Sequence, residues 1–246
     1  MKHQQSIRVV PGAKRAVLFI HGIVGTPNHF VGGIPMMEWV PKDWSVHNLL
    51  LPGHGGTVED FGKSSMRQWR CAARRAFCNL SKDHEKVYIA AHSMGTLFAL
   101  ELAVDHPEKC GGLFLLGVPL RPHLAPAAVN SALRLALGRL RPGYPEAAIA
   151  EACGTAPTWM LWKYLTWIPR FLELFIQIGR TERKLNRLRT PAMAFQSRKD
   201  ELVNGLSARA LGRFPVTVGI LEDSSHFYYS DRDRQTVRKA FEDFLI

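Results

Sequence analysis

The sequence predicts an α/β protein whose mostly parallel sheet is covered by helices on both faces and carries one helical insertion. Three observations predict this class. Short apolar runs alternate with longer amphipathic patterns, and most of these runs are continuously apolar, as in strands that are buried on both faces. A stretch of about 70 residues then breaks the alternation, far longer than an ordinary connection. We therefore expect a core of residues 1–120 and 191–246, and a helical lid of residues 121–190.

The elements of the core follow in order. Apolar runs predict strands at residues 17–20, 46–51, 87–91, 113–116, 192–195 and 216–221. Amphipathic or apolar patterns with helix-start and helix-stop residues predict helices at residues 64–80, 96–104 and 232–244. Parallel sheets of this kind bind their ligands at the carboxyl ends of the strands. Glycines, histidines, Ser93 and Asp200 follow these ends, so the site is expected there.

Composition excludes several other classes of protein. Of the 246 residues, 46% are hydrophobic and 22% are charged, which supports a sizeable core and excludes a disordered or collagen-like chain. The formal net charge of +11 attracts polyanions or anionic membrane surfaces. The segment from Arg121 to Arg189 carries 11 basic and 4 acidic residues, so it alone accounts for +7 of that charge.

Cysteine spacing and the chain's hydropathy indicate a cytoplasmic protein without a metal site. The four cysteines contain no CxxC pair, which argues against a zinc or redox motif, and all are expected to be reduced: Cys71, Cys78, Cys110 and Cys153. The first ten residues have no apolar stretch typical of a signal peptide. The most apolar region, residues 159–178, is interrupted by charged residues and a proline, so it is a poor membrane span.

Ser93 occupies the strongest motif in the chain. An apolar strand ends in Ala91-His92-Ser93-Met94-Gly95, and a helix follows. A strand, a small-x-Ser-x-Gly turn and a helix form the arrangement that pushes a serine hydroxyl out above a sheet on a strained turn. Ala91 and Gly95 are small, as the close approach of strand and helix requires. The alternative is that Ser93 merely caps the helix.

A nucleophilic serine needs a base, and the base needs an acid to orient it. His226 lies between the last strand and the last helix, and the acid is expected after the preceding strand, where Asp200 stands. Glu201 is adjacent to it but is expected to point elsewhere. Glu222 and Asp223 lie so close to His226 in sequence that the required geometry is harder to reach. The alternatives are a loop histidine and an aspartate that caps a turn.

Two backbone N–H groups are expected to stabilise a developing oxyanion. One is the N–H of Met94, directly after the serine. The other is assigned to Ile23, in the loop after the first predicted strand, where Gly22 and Gly25 let the backbone turn towards the site. His21 begins the same loop and is expected to be structural, with its imidazole bonded to loop backbone.

These motifs resemble those of the α/β-hydrolase superfamily, and within it the carboxylesterases and monoacylglycerol-lipase-like serine hydrolases. The resemblance covers nearly the whole chain outside the insertion. It rests on the segments FIHGIVGTP (19–27), LLPGHG (50–55) and AHSMG (91–95), on Asp200 with Val203, and on Ser225-His226. Two departures stand out: Ala91 occupies a position where glycine is usual, and Ile23 one where these esterases often carry an aromatic residue.

The resemblance implies an α/β-hydrolase fold and a Ser93–His226–Asp200 triad that acts through an acyl-enzyme, with the oxyanion held by the N–H groups of Ile23 and Met94. It implies neither a metal nor an organic cofactor. The expected substrates are small-molecule carboxylic esters with short to medium acyl chains, or monoacylglycerols. A serine at the turn excludes the dehalogenase and epoxide-hydrolase relatives, which use aspartate there. The HGGG-type oxyanion loop of another esterase branch is also absent.

Alternatives to ester hydrolysis stay open. The same triad can cleave thioesters, amides, lactones or carbon–carbon bonds, because specificity depends on the lid. A non-catalytic binding protein on the same scaffold is the alternative from another class, although all three triad residues are present. A recognised nucleic-acid-binding motif is absent, so no nucleic-acid partner is expected. The sequence does not indicate the oligomeric state.

The insertion is expected to influence substrate choice. Its dense apolar stripe includes Trp159, Trp162 and Trp167, which are assigned to a substrate pocket over Ser93, with lid core as the alternative. The basic run at residues 180–189 offers a weak contact with anionic lipid head groups, each charge contributing ~1 kcal/mol near such a surface. The alternative for this run is a solvated helix face.

Overall fold

A seven-stranded sheet forms the centre of the computed structural model, which describes residues 3–123, 145–155 and 158–246. The strands are β1 (Ser6–Arg8), β2 (Arg15–Ile20), β3 (Ser45–Leu49), β4 (Lys86–His92), β5 (Cys110–Leu116), β6 (Ala192–Ser197) and β7 (Thr217–Leu221). Their order across the sheet is β1-β3-β2-β4-β5-β6-β7. Strand β1 is antiparallel to β3, and every other pair is parallel. The predicted fold class, a mostly parallel sheet with helices, is confirmed.

Helices connect the strands and cover the sheet. The α-helices of the described residues are α1 (Val58–Lys63), α2 (Met66–Asp83), α3 (Met94–Asp105), α4 (Pro145–Ala152), α5 (Ile168–Glu182), α6 (Leu206–Leu211) and α7 (Asp231–Leu245). Short 3-10 helices lie at Pro27–Phe30, Met36–Trp39, Leu161–Trp167 and Leu185–Arg187. None of the helices in the described ranges has both the length and the apolar composition needed to cross a bilayer.

All six predicted strands are present, with small differences at their ends. The strand predicted at residues 46–51 begins at Ser45 and ends at Leu49, where the chain leaves the sheet. Leu51 is buried, and its N–H donates to Nε2 of His21 at 3.1 Å instead of to a neighbouring strand. Strand β1 was not predicted, because a three-residue edge strand that is largely exposed has no apolar run to mark it.

Helix α2 follows the predicted amphipathic pattern. The Ser65 side chain caps its start by accepting a hydrogen bond from the N–H of Gln68. One face is buried against the sheet and consists of Met66, Trp69, Ala73, Ala76 and Phe77. Burial of each large side chain stabilises the fold by about 1.5–3 kcal/mol. Cys71 and Cys78 lie on this helix, and all four cysteines of the chain are free thiols.

The described part of the 121–190 insertion is helical, and α5 fixes it to the core. Leu174 and Ile178 join the main hydrophobic cluster. Beside them, the buried carboxylate of Glu101 on α3 accepts hydrogen bonds from Gln177 Nε2 and Arg180 Nε, each at 3.0 Å. Burial of a carboxylate is costly unless it is paired in this way. Helices α3 and α5 are therefore held together by both apolar and ionic contacts.

Parts of the insertion lie outside the described residues. Among them are three of the arginines that contribute to its basic charge: Arg134, Arg139 and Arg141. Within the basic run at 180–189, Arg180 pairs with Glu101 and Lys184 pairs with Asp105.

Candidate active site

Ser93 lies in a strained turn between β4 and α3. Strand β4 ends at His92, helix α3 begins at Met94, and Ser93 between them has φ 50° and ψ −125°. A non-glycine residue in this region of backbone space is strained, and such strain concentrates at functional sites. The Ser93 N–H donates to the Leu116 carbonyl at 2.8 Å, which fixes the turn to β5.

Gly95 makes this turn sterically feasible. A Cβ at this position would lie only 2.6 Å from the carbonyl oxygen of His21, and it would also collide with the carbonyl of Ile20. The backbones of β2 and α3 therefore nearly touch beside the serine. This close approach of two backbones explains why the residue two positions after Ser93 must be small.

His226 and Asp200 form a buried hydrogen-bonded pair. Nδ1 of His226 lies 2.8 Å from Oδ2 of Asp200, and both side chains are almost fully buried. The other carboxylate oxygen of Asp200 accepts the N–H groups of Leu202 and Val203, each at 2.8 Å. Because a carboxylate accepts at Nδ1, the neutral imidazole carries its proton there, and Nε2 is left free to accept a proton.

The environment of His226 favours its protonated form. Burial lowers the pKa of His226, but the negative charges of Asp200 and Glu201 and the hydrogen bond that the imidazole donates to Asp200 outweigh burial, and the pKa lies above its ordinary value. His226 is therefore a stronger base than a buried histidine without neighbouring carboxylates.

Ser93 and His226 lie at the same end of the sheet. The rings of His226 and His92 have their centroids 4.7 Å apart, and His92 immediately precedes Ser93. Gly117, at the end of β5, faces the same imidazole, since a Cβ there would lie 3.4 Å from Cε1 of His226. The hydrogen bonds of Ser93 and His226 include none between their side chains. In active sites this contact often tightens only when substrate binds.

The two backbone N–H groups assigned to the oxyanion have no partner among the described residues. Neither Ile23 nor Met94 donates its N–H to a residue that the structure describes. Met94 is the first residue of α3, and the first N–H groups of a helix have no partner within it. Ile23 lies in a turn closed by a 3.1 Å bond from the Gly25 N–H to the Gly22 carbonyl. Val24 in this turn has φ 60°, which is strained for a β-branched residue.

Gly22 brings this loop against the serine. A Cβ on Gly22 would lie 2.8 Å from Cβ and 3.3 Å from Oγ of Ser93. The loop that carries Ile23 therefore contacts Ser93 closely.

His21 has the structural role expected of it. Its Nδ1 lies 2.9 Å from the Gly22 carbonyl, and its Nε2 accepts the Leu51 N–H at 3.1 Å. Burial lowers the pKa of His21 to about 4, against a smaller opposing effect of the hydrogen bond to Gly22. His21 is neutral at pH 7 and joins the loops after β2 and β3.

The three lid tryptophans differ in their surroundings. Trp159 is 81% exposed and Trp162 is 60% exposed, and their rings pack edge to face at 6.0 Å. Trp167 packs on Phe61 with ring centroids 4.6 Å apart and donates its indole N–H to the Val58 carbonyl at 2.9 Å. No ring contact among the described residues joins these tryptophans to the Ser93 turn. Their assignment to a substrate pocket stays a prediction.

Sequence reasoning missed two residues that contact His226. The expectation that Glu201 points elsewhere is wrong, because its Oε2 accepts the backbone N–H of His226 at 3.1 Å. On the opposite side, Nε2 of His92 lies 3.0 Å from the His226 carbonyl, so His92 donates there. The signal for Glu201 was an acid directly after the orienting aspartate. His92 carried no signal beyond its place before the serine.

Known proteins resemble this chain along most of its length. Residues 17–240 match the model of the alpha/beta hydrolase family. A thermostable monoacylglycerol lipase of Bacillus sp. (strain H-257) is 27% identical over 188 residues, which are 76% of this chain and 71% of the lipase. A pimeloyl-[acyl-carrier protein] methyl ester esterase of Neisseria meningitidis (serogroup A) is 28% identical over 226 residues, 89% of this chain and 64% of the esterase.

The solved structures agree with the sequence relatives on the fold. One of the metagenome-derived lipolytic enzymes LipS and LipT superimposes with a TM-score of 0.70 at 22% identity, covering 97% of this chain and 99% of that one. The family match spans nearly all of the sheet and both loops that carry His226 and Asp200. The chain belongs to the alpha/beta hydrolase family.

Proposed function

We propose that this protein is a serine hydrolase that cleaves carboxylic esters through an acyl-enzyme on Ser93, with His226 as base and Asp200 as orienting acid. The observation that carries the proposal is the buried Asp200–His226 pair at 2.8 Å beside the strained serine turn. Family membership and the two named relatives indicate an enzyme of the lipase or esterase kind.

Acylation begins with attack by Oγ of Ser93 on the ester carbonyl carbon. The serine proton passes to Nε2 of His226 as the Oγ–C bond forms, and the carbonyl π electrons move onto oxygen. In the proposed mechanism the N–H groups of Ile23 and Met94 bind that oxyanion, and the N-terminus of α3 adds its positive dipole end. Collapse of the intermediate breaks the bond to the leaving alcohol, which takes the proton from His226.

Deacylation repeats these steps with water. A water molecule attacks the acyl carbon while His226 accepts its proton, and the same two N–H groups hold the second oxyanion. When the C–Oγ bond breaks, the acid product leaves and Ser93 regains the proton from His226. Asp200 stays ionised throughout and stabilises the imidazolium that forms twice in each cycle.

We propose that residues 121–190 form the lid of this site. Their backbone pairs with both catalytic loops: Cys153 bridges to Gly25 in the oxyanion loop, and Pro122 bridges to Val203 in the acid loop. In addition, the Thr26 hydroxyl donates to the Ala152 carbonyl at 3.0 Å. The insertion is thus attached beside both loops that serve Ser93, which supports a role in admitting and selecting substrate.

The proposed substrates are short to medium acyl esters or monoacylglycerols. The relative named as a monoacylglycerol lipase supports this class, and the relative named as a methyl ester esterase supports esters more widely. The test is turnover of p-nitrophenyl esters from acetate to palmitate and of 1-monoacylglycerols. A chain-length optimum supports the proposal. Cleavage of thioesters, amides or lactones in preference to all of these esters would contradict it.

The pH dependence of kcat/KM reports on His226. The base must be neutral to accept the serine proton, and its pKa lies above the ordinary 6.5. We therefore expect kcat/KM to rise with pH through a midpoint above 6.5. His21 and His29, whose pKa values burial lowers to about 4 and about 3, do not titrate in this range. A midpoint near pH 5 would contradict the assignment of His226.

Replacing Gly22 by alanine is expected to reduce kcat by about 100-fold, because the new methyl collides with Ser93 and displaces it or the oxyanion loop. Gly205→Ala is the matched control, since a Cβ there meets no atom within 4 Å. Ester turnover and the melting temperature of both variants are measured together. Wild-type kcat in Gly22→Ala would contradict the close approach of the loop to the nucleophile.

We propose that any contact with a lipid surface is made by the outer face of residues 159–176 rather than by the basic run. Arg180 and Lys184 of that run are already paired with acids on α3. The outer face, in contrast, exposes large apolar side chains: Trp159, Trp162, Leu165, Ile168, Phe171, Leu172, Phe175 and Ile176. Exposed aromatic and aliphatic side chains in one continuous stretch are typical of helices that lie in a membrane interface.

Vesicle sedimentation tests this contact. Binding to phosphatidylcholine vesicles that contain phosphatidylglycerol is expected to fall about 100-fold in a Leu172→Ser, Ile176→Ser double variant, since each change removes apolar area worth ~1.5 kcal/mol and about 1.4 kcal/mol corresponds to a factor of ten. Arg187→Glu serves as the control in the basic run. A larger loss of binding in Arg187→Glu than in the double variant would contradict this proposal and show that the basic run makes the contact.

A further inference from the structure

The peptide groups on both sides of His226 are held by buried side chains. Oε2 of Glu201 accepts the His226 N–H at 3.1 Å, and Nε2 of His92 donates to the His226 carbonyl at 3.0 Å. Glu201 and His92 are each at least nine-tenths buried. Asp200 separately holds the ring at Nδ1. The backbone and the ring of His226 therefore have independent supports.

Glu201 is an unusual carboxylate for the interior of a protein. Its second oxygen, Oε1, is buried and has no hydrogen-bond partner, and no salt bridge of the described residues includes it. A buried carboxylate without a cation or a full set of donors is costly, and such a group in a folded protein calls for a functional explanation. The exposed acids of the His226 loop contrast with it: Glu222 pairs with Arg198, and Asp223 pairs with Lys199.

We infer that Glu201 is a positioning residue for the base: it fixes the His226 backbone and supplies a second buried negative charge that stabilises the imidazolium formed in each proton transfer. His92 fixes the opposite peptide group and carries no charge. The inference rests on the proposed function, because the imidazolium forms only if His226 is the base.

The charges around His226 support this role. Burial, with smaller contributions from His29 and His226, lowers the pKa of His92 well below its ordinary value. Burial likewise lowers the pKa of His29, which stacks on His92 with ring centroids 3.9 Å apart. Burial and then Asp200 raise the pKa of the Tyr229 phenol. His92, His29 and Tyr229 are neutral at pH 7. Among the described residues, Asp200 and Glu201 therefore supply the negative charge that stabilises the His226 imidazolium.

Two substitutions separate charge from hydrogen bonding. Glu201→Gln keeps an oxygen that can accept the His226 N–H and removes the charge, whereas Glu201→Ala removes both. We expect Glu201→Gln to move the acid limb of the kcat/KM profile down by about one pH unit. In Glu201→Ala, kcat is also expected to fall about 100-fold at nearly unchanged KM, because the base is no longer held in place. Glu222→Gln is the control, and its profile should match the wild type.

An NMR titration of the His226 imidazole in the same variants needs no turnover. It is expected to show the same downward shift in Glu201→Gln and none in Glu222→Gln. A Glu201→Gln variant with the wild-type pH profile and titration would overturn the inference, even if its melting temperature fell. Wild-type protein that neither turns over esters nor reacts with a fluorophosphonate would refute the proposed function instead, while the titration would still report on Glu201.

Discussion

Replacing Ser93 by alanine is expected to reduce kcat for ester hydrolysis by about 10⁶-fold, the loss seen when the nucleophile of a serine triad is removed. The reason is that, among the described residues, Ser93 is the only serine or threonine with a positive φ, at the turn before α3. The change removes one oxygen atom and keeps the backbone, so the melting temperature should stay near that of the wild type.

The control for this prediction is Ser81→Ala, which removes a serine hydroxyl bonded to the Phe77 carbonyl on α2. Its turnover of p-nitrophenyl butyrate should equal that of the wild type. Turnover in Ser93→Ala above a few per cent of the wild-type rate would show that another group is the nucleophile.

Replacing Asp200 by asparagine is expected to lower kcat by about 10⁴-fold with little change in fold. The asparagine oxygen can still accept the N–H groups of Leu202 and Val203, which Oδ1 of Asp200 accepts in the wild type. Its NH₂ group then faces Nδ1 of His226. That nitrogen must become an acceptor, so the ring proton moves to Nε2, where the serine proton has to go.

Asp223→Asn is the matched control for Asp200→Asn. Asp223 lies three residues before His226 but is exposed and pairs with Lys199. Its kcat should be close to that of the wild type, and circular dichroism should show both variants folded. A large loss in Asp223→Asn together with a small one in Asp200→Asn would move the orienting acid to the loop before His226.

The strands of the core were predictable because parallel strands are buried on both faces. Their continuous apolar runs stand out from the amphipathic helices, and the loops with Ser93, Asp200 and His226 follow from the order of the elements. The close approach at Gly95 was also readable, because only a small residue fits where two backbones nearly touch. Local chemistry and chain order were sufficient for these features.

Short elements were harder to predict, since their stability comes from caps and tertiary contacts. Helix α1 has six residues, and a capping box between Thr57 and Asp60 holds its start. That box was present in the sequence as a threonine followed three residues later by an acid. The edge strand β1 offered no comparable signal, because it is specified only by pairing with β3.

The orientation of single side chains required the structure. The Asp200 carboxylate accepts the N–H groups of Leu202 and Val203, the two residues after Glu201, and so turns the chain there. This turn directs the Glu201 side chain back to the His226 N–H. The pattern of the insertion predicted an apolar stripe, but not which face is buried. Leu174 and Ile178 pack against the core, while Trp159 and Trp162 are exposed. Periodicity identifies a face, and only the packing partner decides what that face contacts.

The central claim is that Ser93 is an activated nucleophile, and covalent labelling tests it most directly. The wild-type protein is incubated with a fluorophosphonate, and its mass is measured before and after, followed by peptide mapping. The account predicts one phosphonyl group per chain, located on Ser93, and greatly slowed labelling in Asp200→Asn. An unlabelled protein, or a label on any other residue, would contradict it.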